Sequence, residues 1–425
     1  MLDRKFIRED SEVVRQAIVD KRESADLDAY LEQDTRYLEL IREVEELRAE
    51  RNRASAAINE MKKSGEDAGE AITKTRELSR RTKELEQQKS ELEENLRELR
   101  LNFPNIPDPE VPRGGEENNL LLREWGEPLM DADFELKPHW DIGEELKLFD
   151  LERGAKVAGS GFPMMTGEGA RFQRALINFM MDLHRADGFT ELIPPLMVNG
   201  AAATGTGQLP KLADDMYHCE VDDLWLIPTS EVPVTNLFAG EILGPDDLPR
   251  YFQAYTPCFR REAGAHGKDT RGLLRVHQFD KVELVKFVRP ETSIDEHESL
   301  VAQAEKVLQA LDIPYRVMLL ASGDLSFAAA RCIDLEIWAP GVERWLEISS
   351  ISNFSDFQAR RANIRFRPGE REKPQFVHTL NGSGVALPRL VATLLEMGQT
   401  ALGRVSIPER LRPYMGGQKY LGKED

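Results

Sequence analysis

Apolar positions along the chain fall into two regimes. Over roughly the first hundred residues they recur at alternating spacings of four and three. Leu40, Val44, Leu47, Ala54, Ile58 and Met61 form one series, with Arg51 at the position that breaks it. Leu78, Leu85, Leu92, Leu96 and Leu99 form a second, with Thr82 and Lys89 at intervening core positions. This is the spacing of a coiled-coil seam, in which each helix buries one narrow stripe. Between the series lies KKSGEDAG, Lys62 to Gly69, whose glycines and charges suit a chain reversal. The pattern predicts an antiparallel helical hairpin over about 27–101, each limb about 35 residues and roughly 50 Å long.

At NFPNIPDPEVPRGGEENN, Asn102 to Asn119, prolines and glycines exclude helix. The expected division is a helical domain over 1–105, a linker over 106–120 and a second domain over 121–425. In that second domain Phe172, Leu176, Phe179 and Leu183 predict an amphipathic helix from Ala170 to Ala186. GFTELIPPLMV, Gly188 to Val198, reads as a strand entered from a tight turn. Short strands, some paired as hairpins, follow up to Asn381, with helices at about 293–311 and 386–401. Without a regular βαβ repeat, the expectation is an α+β domain on a mostly antiparallel sheet flanked by helices.

The formal net charge of −19 argues against a basic, sequence-independent nucleic-acid coat, yet leaves room for local basic surfaces. The hairpin arm carries such an excess in Arg48, Arg51, Arg53, Lys62, Lys63, Lys74, Arg76, Arg80, Arg81 and Lys83. An RNA backbone is a fitting partner for it; a solvated face of mixed charges is the competing explanation. Cys219, Cys258 and Cys332 are far apart and form no CxxC pair, so neither a disulfide framework nor structural zinc is expected. The start, MLDRKFIREDSEVV, has no apolar signal core, and no run is long and apolar enough to cross a bilayer. These features predict a cytoplasmic protein.

Candidate chemistry concentrates in four segments. TPCFRREAGAHGKDTRGLLRVHQFDKVE, Thr256 to Glu283, reads as two strands joined by a basic loop. Strand alternation would aim Arg260 with Glu262, and Arg275 with Phe279 and Glu283, from one surface. Guanidinium for phosphate, ring for base and carboxylate for ammonium suit a nucleotide and a charged small molecule. A salt-bridged exposed hairpin would use the same residues. In IPTSEVPVTN, Ile227 to Asn236, Thr229, Ser230 and Glu231 sit between prolines and could line a pocket or form a polar turn.

In CIDLEIWAPGVERWLEISSISN, Cys332 to Asn353, pairing Trp338 with Trp345 sets Glu336 opposite Glu347. A divalent cation would relieve that repulsion, unless the register differs by one residue. In TLNGSGVALPRLVATLLE, Thr379 to Glu396, Arg389 sits in the first turn of a helix, where a cation opposes the dipole. An anionic ligand, or an ion pair with a nearby glutamate, would account for it.

Together these segments resemble the seryl-tRNA synthetases of bacterial and eukaryotic type, which are class II aminoacyl-tRNA synthetases. The resemblance runs nearly end to end, from the charged arm to the final PYMGG. GFTELIPPLMV is similar to motif 1, with Pro195 as its dimer-interface proline. FRREAGAHGKDTRGLLRVHQFDKVE is similar to motif 2 and GVALPRLVATLLE to motif 3. Motif 3 alone is weak; motif 2 together with TGQLPK, LIPTSEVP, EISS and FQARR is specific to the serine enzymes.

The resemblance implies ATP and L-serine as substrates, Mg²⁺ with the ATP, serine tRNA bound through its long variable arm, and a homodimer. It leaves open whether selenocysteine tRNA is also charged. It implies that Arg260 and Arg389 grip the ATP phosphates as the catalytic pair, and that Arg261, Glu262, Val276, Phe279, Glu347, Ile348, Ser349 and Ser350 complete the ATP site. Glu347 and Ser350 would hold the metal. Thr229, Ser230, Glu231, Glu283, Asn381 and Ser383 would recognise serine. For Glu347 and Ser350, three apart and so of opposite parity, a twist or bulge is needed to bring them to one ligand. The chain departs from the family in SSISNF, with Ile351 and Phe354 where cysteines are common, and in RCIDLE, with Arg331 at the usual lysine. A ligase acting on a carrier protein, an inactive scaffold and a general nucleotide-binding module are the rivals. The first would lack the arm, the second the full charged set, the third the TSE and NGS segments.

Overall fold

The computed structural model describes residues 1–263 and 271–423. Contacts divide the chain into two compact units, Leu2–Pro104 and, with Met1, the chain from Asn105 onward. The first is helical: α1 (Arg4–Glu9), α2 (Ser11–Asp20), α3 (Leu27–Ser64) and α4 (Gly69–Leu101). The Asp26 side chain caps α3 by accepting from the Ala29 N–H at 2.9 Å, and Gly65 ends it at φ 78°, a left-handed turn that glycine adopts without steric cost.

The buried stripe between α3 and α4 follows the predicted seam. Leu40, Val44 and Leu85 form its core, with Leu47 and Leu92 packed on it. Thr82 is buried too, and its hydroxyl donates to the Leu78 carbonyl at 2.8 Å, so a polar seam residue is satisfied within its own helix. Three ion pairs cross between the helices: Arg48 to Glu86 at 2.6 Å, Lys74 to Glu50 at 3.2 Å and Arg81 to Glu43 at 3.4 Å.

The second unit is built on an eight-stranded sheet. In chain order its strands are β1 (Leu120–Trp125), β2 (Thr190–Leu192), β3 (Arg250–Phe259), β4 (Gln278–Val288), β5 (Tyr315–Leu319), β6 (Arg331–Ala339), β7 (Arg344–Asn353) and β8 (His378–Ala386). The spatial order is β1-β5-β6-β7-β8-β4-β3-β2, antiparallel throughout except for β2 beside β3. Helices α5 (Gly167–Ala186), α6 (Ser293–Ala310) and α7 (Leu387–Met397) pack on this sheet.

Alternation along β4 separates two jobs. Lys286 reaches Glu296 and Ser299 of α6, at 2.8 and 3.1 Å. Val285 and Phe287 share parity with Phe279, Lys281 and Glu283 and join an apolar cluster with Phe252, Ala254, Phe366 and Val377. The polar site described below is the other end of that face.

Two expectations require correction. GFTELIPPLMV is not one strand: it breaks at Pro194 and Pro195, leaving β2 in the main sheet and Met197–Asn199 in a separate small sheet with Leu224–Leu226. Prolines lack the N–H that a ladder needs. The last helix stops at Met397 rather than continuing to 401, and the Gln399 amide donates back to the Glu396 carbonyl at 2.9 Å.

Candidate active site

A cavity of about 690 Å³ opens where β3, β4, β7, β8 and the start of α7 meet. Arg260 and Glu262 lie beyond the end of β3, and Arg275 lies before β4, so strand alternation does not aim them as the sequence suggested. An additional rung does. Arg260 N–H donates to the His277 carbonyl at 2.9 Å, and the Arg260 carbonyl is 3.0 Å from His277 Nδ1. This sets the Arg260 guanidinium 5.2 Å from the centroid of the Phe279 ring. Glu262 has φ 50°, and its carboxylate pairs with Arg275 at 2.8 Å. The salt-bridged hairpin is thus partly real, but it forms a cavity wall.

At the inner end lies a buried charged cluster. Lys281 is ion-paired with Glu283 and donates to the Thr229 hydroxyl at 2.9 Å. The Asn381 amide donates to Glu283 at 2.7 Å and to Glu231 at 3.1 Å. Gln358 donates to the second oxygen of Glu231 at 2.6 Å and accepts from the Thr379 hydroxyl at 2.7 Å. Burial, and next the charge of Glu283, push the Glu231 carboxyl up to about 7, against the pull of Gln358 and Lys281. A polar group such as an ammonium could enter here only by replacing or completing hydrogen bonds already present.

At the outer end Arg389 donates to the Glu347 carbonyl at 2.6 Å and to the Leu274 carbonyl at 3.3 Å, and meets the Glu347 carboxylate at 3.5 Å. The glutamate ion pair considered from sequence is present, loose and half-exposed. Glu336 does sit opposite Glu347, with Trp338 opposite Trp345. The register then slips: Leu335 faces Ser349 and Glu336 faces Glu347, which leaves Ile348 as an extra residue in β7. Such a bulge turns neighbouring side chains to one side. Glu347, Ile348 and Ser350 accordingly all line the cavity, while the Ser349 hydroxyl turns away to the Ser383 carbonyl.

Glu336 is neutralised by Arg316 on β5, so its repulsion from Glu347 needs no metal. Asp334, opposite Ser350, is the strained carboxyl: burial first and the Glu347 charge next raise its pKa well above the usual range. Among the described residues no group of three or more His, Cys, Asp or Glu could hold a metal ion. A carboxylate and a hydroxyl on the cavity wall, Glu347 and Ser350, nevertheless fit Mg²⁺, which takes few protein oxygens and completes its shell with water and substrate phosphate.

Of the residues singled out from sequence, Thr229, Glu231, Arg260, Glu262, Val276, Phe279, Glu347, Ile348, Ser350, Asn381, Ser383 and Arg389 line the cavity. Glu283 stands just behind it, 1 % exposed, bonded to the wall through Lys281 and Asn381. Ser230, Arg261 and Ser349 do not line it; the Ser230 hydroxyl turns to the Ala254 carbonyl and Arg261 is exposed. Arg331 also lies elsewhere, pairing with Glu110 at 2.7 Å and Glu298 at 3.2 Å. Residues 264–270, in the basic loop of the Thr256 to Glu283 segment, lie outside the described residues. Lys281, Gln358 and Asp334 were missed. Lys281 was findable from its two-residue offset to Glu283; Gln358 reaches Glu231 across 127 positions of chain, which no local pattern encodes.

Comparison with known proteins agrees along the whole chain. Residues 1–107 match the seryl-tRNA synthetase N-terminal domain, and residues 217–398 match the tRNA synthetase class II core domain (G, H, P, S and T). The serine–tRNA ligase of Thermomicrobium roseum is 52% identical over 426 residues, spanning 100% of this chain and 95% of its own. That of Pelotomaculum thermopropionicum is 54% identical over 424 residues, spanning 99% and 100%. Among solved structures, the seryl-tRNA synthetase of Pyrococcus horikoshii complexed with ATP superposes with a TM-score of 0.94 at 38% identity, covering 100% of both chains. The cytoplasmic serine–tRNA ligase of Naegleria fowleri in complex with AMP gives 0.87 at 28% identity, covering 100% of this chain and 99% of that one. The chain belongs to the seryl-tRNA synthetase family.

Proposed function

We propose that the protein activates L-serine with ATP and transfers the seryl group to the 3′ end of serine tRNA. The observation that carries this reading is one cavity joining the buried Glu231–Lys281–Glu283–Asn381 cluster to Arg260, Phe279 and Arg389. In the first step the serine carboxylate attacks the α-phosphorus; the bond to the bridging oxygen breaks and pyrophosphate leaves with its electron pair. The carboxylate is already ionised, so no general base is required. In the second, a terminal ribose hydroxyl of the tRNA attacks the seryl carbonyl carbon, losing its proton as AMP departs.

Arg260 and Arg389 grip the phosphates, Phe279 stacks on adenine and Glu262 contacts its edge. Glu231 and Glu283 receive the serine ammonium, and Thr229, Asn381 and Ser383 test its hydroxyl. Mg²⁺ carried with ATP, held at Glu347 and Ser350, would supply charge neutralisation on the phosphates. Serine-dependent exchange of pyrophosphate into ATP tests the reading, with alanine, threonine and glycine as controls. Serine alone should support it, because polar groups left unpaired by alanine allow rejection of roughly 10⁴-fold; equal exchange with alanine contradicts it.

Arg389→Ala should lower kcat for this exchange about a hundredfold, the usual cost of removing one preorganised charge contact. A change confined to KM would instead mean ground-state binding only. A pH profile tests Glu231. Below about 7 the carboxyl takes up a proton and loses the charge that receives an ammonium, so kcat/KM for serine should fall as pH drops through that value. Glu231→Gln should lose this step; its persistence would assign the titration elsewhere. For stability the sign is opposite: a protonated Glu231 favours the fold at low pH, and that contribution is lost as pH rises through about 7.

The helical arm is read as the grip on the long variable arm of serine tRNA. Arg51, Arg53, Lys62, Lys63, Arg76 and Lys83 support this, being engaged in no ion pair among the described residues. A homodimer is supported by the exposed apolar stretch around Pro195, where Ile193 is 92% and Leu196 37% exposed beside the edge strand β2.

A further inference from the structure

A buried histidine–carboxylate pair that does not face the cavity ties together four segments, two of which, α7 and the limb at Leu273–Val276, line it. His139 begins the short helix His139–Glu145, and Glu396 lies in the last turn of α7; both side chains are 0% exposed. One Glu396 oxygen accepts from the His139 backbone N–H at 2.9 Å and lies 2.7 Å from its Nδ1. The other accepts from the N–H groups of Gly341 and Val342, at 2.9 and 3.2 Å, in the turn joining β6 to β7. The remaining ring nitrogen, Nε2, receives the Leu273 N–H at 3.0 Å.

These partners fix the tautomer. An amide N–H can only donate, so Nε2 is unprotonated, and the ring proton sits on Nδ1 and goes to Glu396. Leu273 belongs to the return limb of the 260–277 hairpin, and Leu273, Leu274, Arg275 and Val276 line the nucleotide end of the cavity. The next carbonyl, of Leu274, holds Arg389 at 3.3 Å. The approach of limb to ring is close: Gly272 has φ +71°, and a Cβ there would lie 2.2 Å from His139 Nε2.

We propose that His139, locked in one tautomer by Glu396, is a positioning residue for ATP activation. It fixes the backbone at 272–275 and, through Leu274, the Arg389 guanidinium, without touching substrate. The inference rests on the ATP-activating reading, so exchange by the unaltered enzyme is measured first; its absence would refute that reading rather than this one.

The test compares two variants of the ring. His139→Asn keeps a polar atom near the Nδ1 position but none near Nε2, whereas His139→Gln carries an oxygen toward Nε2. His139→Asn should raise KM for ATP on the order of tenfold, with KM for serine close to that of the unaltered enzyme, and His139→Gln should recover most of that loss. Gly272→Ala approaches from the other side, its methyl group forcing the Leu273 limb and the His139 ring apart, and should also raise KM for ATP selectively. An unchanged KM for ATP in Gly272→Ala overturns the proposal. So does a loss in His139→Asn that falls equally on ATP and serine, or one that His139→Gln fails to restore.

Discussion

Replacing Glu283 with alanine should abolish serine-dependent pyrophosphate exchange, by on the order of a thousandfold or more, while leaving ATP binding intact. Two losses coincide. The carboxylate that would receive the ammonium disappears, and Lys281, its buried ion-pair partner, is left without a counter-charge. Removing one partner of a buried pair typically costs about 3–5 kcal/mol, which in rate or affinity terms is two to four powers of ten. Because part of that cost falls on stability, Glu283→Gln is the companion variant. It keeps the oxygen that accepts from Asn381 and removes only the charge. Both variants should bind ATP with near-normal affinity; ordinary exchange by either would overturn the assignment of Glu283 to serine.

Deleting residues 40–98 should separate the two half-reactions. The shortened protein should form seryl-adenylate at the normal rate, because every residue of the cavity lies beyond Pro104. Charging of tRNA should fall below detection at ordinary tRNA concentration. Of the ten basic residues proposed for this contact, Arg48, Lys74 and Arg81 bind carboxylates of the opposite helix and Arg80 binds Glu84 of its own. The other six remain for phosphate, and each phosphate neutralised releases counterion, which makes binding strongly salt-dependent. Retained charging by the shortened protein would remove the arm from tRNA recognition.

The arm was the most legible part of the chain, since a seam is local: Leu40, Val44 and Leu85 are buried as their spacing requires. The antiparallel sheet was legible as a class, but strand ends were not. Arg260 and Glu262 were grouped correctly by an alternation that does not reach them; a rung from His277 does the aiming. The bulge at Ile348 was inferred only because the family resemblance required Glu347 and Ser350 to meet. Nothing in EISS itself announces an extra residue, because a bulge depends on what the partner strand offers. Gln358 and the His139–Glu396 pair were out of reach for a related reason: each joins positions more than a hundred residues apart.

The Glu231 carboxyl, poised near neutrality inside the charged cluster, gives the pocket the character of an ion exchanger. With Glu231 protonated, Lys281 and Glu283 balance one another; an arriving ammonium restores that balance only if a proton departs. With serine bound as proposed, acid and amino acid would compete for one place. On the proposed reading, a molecule shaped like serine but lacking its positive charge would have nothing with which to displace the proton, so the pocket would demand an amine as well as a hydroxyl.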